Sequence, residues 1–200
     1  MLASPAEPAA AAHAAYRLSH VAAVLRRDGV IAHPTEGVWG LACVASSADA
    51  VWRILASKRR DWRKGLILVA DAASRFEGLL MGLPAERRVL VERSWPGPTT
   101  WLVPHRQQLP DWVTGGSPRV ALRVTAHAQF AALCRRVGEP LVSTSANRAA
   151  RAPVDSALAA RRVFGGELDA VLAGDLGGAG GPSRILDALT GEQLRGAAPP

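Results

Sequence analysis

The sequence predicts a single α/β domain built on a mixed sheet, and three observations carry that expectation. Strand-sized apolar runs alternate with segments of helical periodicity from residue 14 to residue 188. The 200 residues fit one domain and suffice for a sizeable core. No internal repeat and no linker-like stretch divides them.

The elements follow in order. Residues 1–12 and 197–200 are rich in Ala and Pro and are expected to be disordered tails around a domain spanning 13–196. Across 14–27, Leu18, Val21, Ala22 and Leu25 fall at i, i+3, i+4 and i+7, an amphipathic helix ended by Gly29. A short buried strand over 30–33 is stopped by Pro34. Ser47 precedes a second helix reaching residue 56, where Val51, Trp52, Ile54 and Leu55 give a broad apolar side. A basic block follows, then a strand over 65–70 and two short helical segments over 73–80 and 84–93. A Pro/Gly turn at 95–98 opens a strand over 99–103. Beyond a polar loop come a strand over 119–124, a helix over 126–136 and a strand over 141–144. A helix at 156–164, a strand at 170–173, a glycine-rich loop at 174–181 and a strand at 184–188 complete the domain.

Composition narrows the function classes. A hydrophobic share of 48% against 20% charged residues is globular rather than disordered. No apolar run reaches the roughly 20 residues that span a bilayer, which argues against a membrane protein. The first twelve residues lack the basic and apolar regions of a signal peptide. Cys43 and Cys134 lie far apart, without metal-ligand or disulfide-framework spacing, so a reduced, cytoplasmic compartment is expected.

The net charge of +7 is more informative in its distribution. Of 24 basic residues only two are Lys, Lys58 and Lys64, and both fall in one heptapeptide. A compact ammonium kept where Arg serves elsewhere points to a point charge with a task, although two residues could also fall there by chance. Between Arg53 and Lys64 stand six cations and one acid, Asp61. Such a block is either a solvated face or a phosphate-attracting one.

Four segments could carry chemistry. His33-Pro34-Thr35-Glu36-Gly37 ends a strand abruptly and presents a hydroxyl and a carboxylate, either at a ligand edge or in a plain capped turn. Lys58, Arg60 and Lys64 straddle the approach to strand 65–70, where converging cations would suit a polyphosphate. In the run from Leu141 to Asn147, alternation puts Ser143 and Ser145 on one face. Neither serine has a nearby His or a nucleophile-elbow pattern. Arg123 interrupts an apolar strand, and a buried guanidinium needs a partner that a carboxylate-bearing ligand would supply. The glycine loop lacks a Gly-Lys-Ser/Thr ending and is no Walker loop, and the scattered His residues draw no metal cluster.

Six segments coincide in order with one family: His33-Pro34-Thr35-Glu36; Lys58-Arg59-Arg60 with Lys64-Gly65-Leu66-Ile67; Ser94-Trp95-Pro96-Gly97-Pro98-Thr99; Ala121-Leu122-Arg123-Val124; Leu141 to Asn147; and Ser183 to Gly191 with Arg195. Over residues 14–196 the chain resembles the threonylcarbamoyl-AMP synthases of the YrdC/Sua5 family, bacterial TsaC type. The resemblance implies a single twisted mixed-sheet YrdC-like domain with flanking helices and a concave basic face. It implies threonine near Thr35, Arg123, Ser143 and Ser183, with Arg123 on the carboxylate. It puts ATP on Lys58, Arg60, Lys64, Ser145, Asn147 and Arg195, with Lys58 and Arg60 acting in catalysis and Mg²⁺ accompanying ATP. The implied reaction joins L-threonine, bicarbonate and ATP into threonylcarbamoyl-AMP and pyrophosphate, for threonylcarbamoyladenosine in tRNA. The implied partners are tRNA or double-stranded RNA and the tRNA threonylcarbamoyl transferase complex that receives the product.

Three departures from the family pattern stand out. His33 occupies a place usually held by Tyr, Ala149-Ala150 replace a Ser-Gly pair, and Val69 stands where some relatives carry His. A non-catalytic double-stranded-RNA-binding or ribosome-maturation factor would also suit the charge, although one Tyr and three Phe offer little for base stacking. The carbamoyl-handling proteins of hydrogenase maturation resemble the domain too, but are much longer.

Overall fold

The computed structural model describes residues 6–196, with side chains from residue 12; of the tails expected at 1–12 and 197–200, residues 1–5 and 197–200 lie outside the described residues. Helix α1, Ala6–Leu25, packs over a nine-stranded mixed sheet. The strands are β1 (Ile31–Pro34), β2 (Trp39–Val44), β3 (Ile67–Ala70), β4 (Thr99–Pro104), β5 (Arg119–Val124), β6 (Leu141–Ser145), β7 (Ala170–Val171), β8 (Arg184–Asp187) and β9 (Gln193–Arg195). Their order is β7-β1-β2-β6-β3-β5-β4-β8-β9. The remaining helices are α2 (Ala48–Lys58), α3 (Glu77–Leu80), α4 (Ala85–Arg93), α5 (Asp111–Thr114), α6 (Ala128–Val137) and α7 (Ala157–Phe164).

Period-two alternation sorts the strands into two faces. On one, Leu41, Cys43, Leu68, Leu122, Val142 and Trp101 join the large core closed by α2 and α7. The other face is split along its length. Its far end, with Ala42, Val44, Val69 and Leu141, is covered by Val21 and Leu25 of α1 and Phe130 and Leu133 of α6. Its near end carries Gly40, Ile67, Ala121, Arg123 and Ser143 and stays open. The registers Gly40↔Ser145, Ile67↔Ser143 and Ile67↔Ala121 hold these positions side by side. The concave face is therefore the half of one sheet surface that α1 and α6 leave uncovered.

The structure departs from the sequence reading in a few places. Helix α1 begins at Ala6, so helical backbone extends into the segment expected as a tail, in keeping with the high helix propensity of its alanines. Strand β2 and the short β9 had no counterpart in the reading. Every residue of β2 is buried, and a strand covered on both faces shows no alternation to detect. A short helix, α5, interrupts the expected polar loop.

Ala150 adopts φ 59°, a left-handed conformation that costs a side chain about 1–2 kcal/mol. Ala150→Gly is expected to raise unfolding stability by up to about 1 kcal/mol, readable as a higher urea midpoint with an unchanged slope. An unchanged or lower midpoint would show that position 150 carries no strain.

Candidate active site

Three chain segments build the open half-face. The first is the β1–β2 turn. Thr35 leaves β1 with its hydroxyl donating to the Val38 carbonyl at 2.7 Å. The capped-turn reading of Thr35 is therefore the structural one: its oxygen also accepts from Val38 N at 3.4 Å, which leaves one lone pair for the cavity it lines. Gly37 permits the glycine-rich loop to cross here, because a Cβ at 37 would stand 1.8 Å from the Gly181 carbonyl oxygen. That loop is tied down: Gly177 N donates to Thr35 O at 3.0 Å and Ala179 N to Glu36 O at 2.8 Å.

The second segment is β5. Arg123 is buried at 6% exposure, and its partner is internal: a guanidinium nitrogen lies 3.3 Å from Glu36 Oε2. The fold itself supplies a carboxylate to Arg123, from the turn between β1 and β2, where a ligand carboxylate was expected as the partner. Glu36 is itself held by the Thr125 hydroxyl at 2.9 Å and Ala126 N at 2.8 Å, both donating to Oε1. Arg123 Nε has no hydrogen-bond partner. Burial lowers the Arg123 pKa, and Glu36 works against that shift.

The third segment is the basic block with the turn after β6. In α2 the Ser47 hydroxyl accepts from Ala50 N, while Arg59 closes the helix in a left-handed conformation at φ 50°. That cap turns Lys58 inward. Its ammonium donates to the Ser145 carbonyl, to Asn147 O at 2.9 Å and to Asn147 Oδ1 at 3.1 Å. Lys58 is 3% exposed, and burial, then the nearby Arg60, push its pKa down to about 8. The Ser145 hydroxyl donates to Asn147 Oδ1 at 2.6 Å, and Asn147 Nδ2 donates to Arg151 O at 2.8 Å.

Of the two readings open for the basic block, the solvated face does not hold at Lys58. Its helix cap carries it beneath the strand end, where it and Asn147 hold the turn, and neither lines the cavity. Arg60, Lys64, Ser145 and Arg195 do line it, as do Ser143 and Ser183. Arg60 donates to the Gly65 carbonyl at 2.9 Å. Burial first, then the facing Arg195, lowers its pKa; Arg195 is lowered by burial and then by Arg123. Ser183 is buried, with its hydroxyl 2.9 Å from that of Thr100.

These walls enclose a cavity of about 430 Å³ lined by six cations (Arg60, Arg63, Lys64, Arg119, Arg123, Arg195) and one acid, Glu36. Such a volume suits a small-molecule site, and the excess of cations over acids, with Arg60 and Arg195 repelling each other, suits an anion. Arg119 went unnoticed in the sequence, although it sits four residues before Arg123 on the same strand face and contacts buried Asp187. Glu36 was visible as a carboxylate, but not as the partner of Arg123.

The Sua5/YciO/YrdC family profile, described as "Telomere recombination", matches residues 23–196. The chain belongs to this family. It shares 50% identity over 180 residues with the threonylcarbamoyl-AMP synthase of Stutzerimonas stutzeri, covering 90% of this chain and 97% of that one. The namesake from Halorhodospira halophila is 49% identical over 180 residues, covering 90% and 94%. Among solved structures, P. abyssi Sua5 complexed with L-threonine superposes with TM-score 0.80 at 30% identity over 86% of this chain, which spans only 51% of that protein. As a Sua5/YciO/YrdC member with relatives of this closeness, the chain is an enzyme. Among the described residues no helix is long and apolar enough to cross a membrane.

Proposed function

We propose that this enzyme makes L-threonylcarbamoyl-AMP from L-threonine, bicarbonate and ATP, releasing pyrophosphate, as the first step of threonylcarbamoyladenosine formation in tRNA. The observation that supports the reading is that one cavity is lined both by a buried guanidinium with small hydroxyls (Arg123, Thr35, Ser143, Ser183) and by the cations Arg60, Lys64 and Arg195. We assign the first set to the amino acid and the second to the polyphosphate.

The threonine amine adds to the bicarbonate carbon and a water leaves, giving a carbamate. A carbamate oxygen then attacks the α-phosphorus, and the bond to the β-phosphate oxygen breaks to release pyrophosphate. Such a transfer is accelerated mainly by positioning and charge neutralisation, which fixed cations supply. Lys58 acts by holding Ser145 and Asn147 rather than by touching phosphate. The hydroxyls of Ser145 and Thr35 donate to Asn147 Oδ1 and Val38 O, amide oxygens too weakly basic to take their protons, which favours direct attack over a covalent enzyme intermediate.

Mg²⁺ enters this proposal only as the ion carried by the triphosphate. The one carboxylate on the cavity wall, Glu36, is committed to Arg123, Thr125 and Ala126. Among the described residues no group of three His, Cys, Asp or Glu could hold a metal. A tRNA or double-stranded RNA contact is proposed along the rim, where Arg59 and Arg63 are exposed. The product would pass to the tRNA threonylcarbamoyl transferase complex in the cytoplasm.

The test is pyrophosphate release from ATP, expected only when threonine and bicarbonate are both present. Release independent of either substrate, or none with both, would leave the RNA-binding reading in its place. In the same assay Thr35→Val is expected to raise the threonine KM about tenfold, the scale of one lost hydrogen bond, with the ATP dissociation constant unchanged. Intact-mass spectra after a quench should show no adduct on Thr35 or Ser145.

A further inference from the structure

Strands β1 and β6 are not neighbours, because β2 runs between them. Where they come closest, β2 carries Gly40, paired with His33 on one side and Ser145 on the other. With no side chain at 40, the His33 ring and the Ser143 hydroxyl meet over the middle strand, Nε2 to Oγ at 3.3 Å. A Cβ at 40 would stand 2.9 Å from that Nε2 and 3.3 Å from that Oγ. The ring is fully buried and stacks on Phe130, centroids 3.8 Å apart and planes 17° from parallel.

The protonation pattern of this pair follows from its partners. His33 Nδ1 lies 2.9 Å from the Pro34 carbonyl oxygen, which can only accept, so Nδ1 carries the proton. Burial keeps the ring neutral, helped by Arg123 and His127 and opposed by the Pro34 contact, with its pKa pushed down to about 3. Nε2 then offers a lone pair, and the Ser143 hydroxyl gives its only proton to it. The Ser143 oxygen is left with lone pairs toward the cavity it lines.

We infer that His33 is a positioning residue that makes Ser143 an obligate hydrogen-bond acceptor, so the site selects a ligand presenting an N–H or O–H donor there. The inference rests on reading the cavity as the threonine site, where the amine or the hydroxyl of threonine supplies that donor.

Two measurements test it. In ¹⁵N-detected NMR of the ligand-free protein, His33 is expected as the neutral Nδ1–H tautomer; an Nε2–H tautomer or an imidazolium at neutral pH overturns the inference. In calorimetry, His33→Phe, which keeps the stacked ring, is expected to weaken threonine about 5–10-fold, the scale of one hydrogen bond, without moving ATP. Combining it with Ser143→Ala should cost nothing beyond Ser143→Ala alone, since the effect passes through that hydroxyl. Unchanged threonine affinity in His33→Phe, or additive losses in the double variant, overturns it. With 2-aminobutyrate as ligand, an equal loss assigns the donor to the amine and an unaffected affinity assigns it to the hydroxyl; both support the acceptor role. A parent protein that binds no threonine would end the functional reading, while the tautomer measurement would still decide this one.

Discussion

Arg123→Leu is expected to lose threonine binding and about 3–5 kcal/mol of stability together, because it removes one partner of a buried ion pair and strands the other. Glu36 would keep its bonds from Thr125 and Ala126 but face an apolar side chain with its second oxygen. The leucine's bulk and strand character do not offset that loss. The two effects separate in the double variant Arg123→Leu with Glu36→Leu. Stability should largely return, since a buried pair replaced by apolar residues is often neutral. Threonine affinity should stay about 30-fold or more below the parent, as befits a lost charge partner. A single variant that melts like the parent and titrates threonine normally would remove Arg123 from both roles.

Lys58→Ala is expected to lower turnover about 10²-fold, the scale of misplacing a positioning element by about 1 Å. It should also cost about 2–4 kcal/mol of stability, because the Ser145 carbonyl, Asn147 O and Asn147 Oδ1 lose their shared donor. The sign of its pH dependence follows from its depressed pKa. The folded protein releases the Lys58 proton near pH 8, whereas the unfolded chain holds it to about 10.5. Between those values the unfolded state binds more protons, so the Lys58 contribution to stability rises with pH. The parent should therefore gain on Lys58→Met in urea melts as pH climbs from 8 to 10.5. A stability difference that is flat or shrinks over that range would mean that the ammonium is solvated.

The sequence by itself determined the elements whose apolar residues follow one period. The amphipathic pattern of Leu18, Val21, Ala22 and Leu25 marked α1, and the alternation in β6 put Ser143 and Ser145 on one face. It also supplied the cation inventory, and it exposed Arg123 as a charge in an apolar strand. These are local properties, legible because a side chain's direction follows from backbone periodicity.

What a side chain meets after folding is not local, and that is where the tertiary structure decided. Strand β2 escaped detection because burial on both faces erases alternation. Arg123 found its carboxylate 87 positions away in sequence, on the turn after β1. The basic neighbours of Lys58 left a solvated face and a phosphate-attracting one both open; the left-handed cap at Arg59 and the turn after β6 bury its ammonium among carbonyls. His33 and Ser143 touch only because β2 has glycine where their strands come closest. Composition and spacing fix which charges and hydroxyls a chain owns, but pairing depends on which strands lie side by side, and sheet order is set by packing over the whole domain.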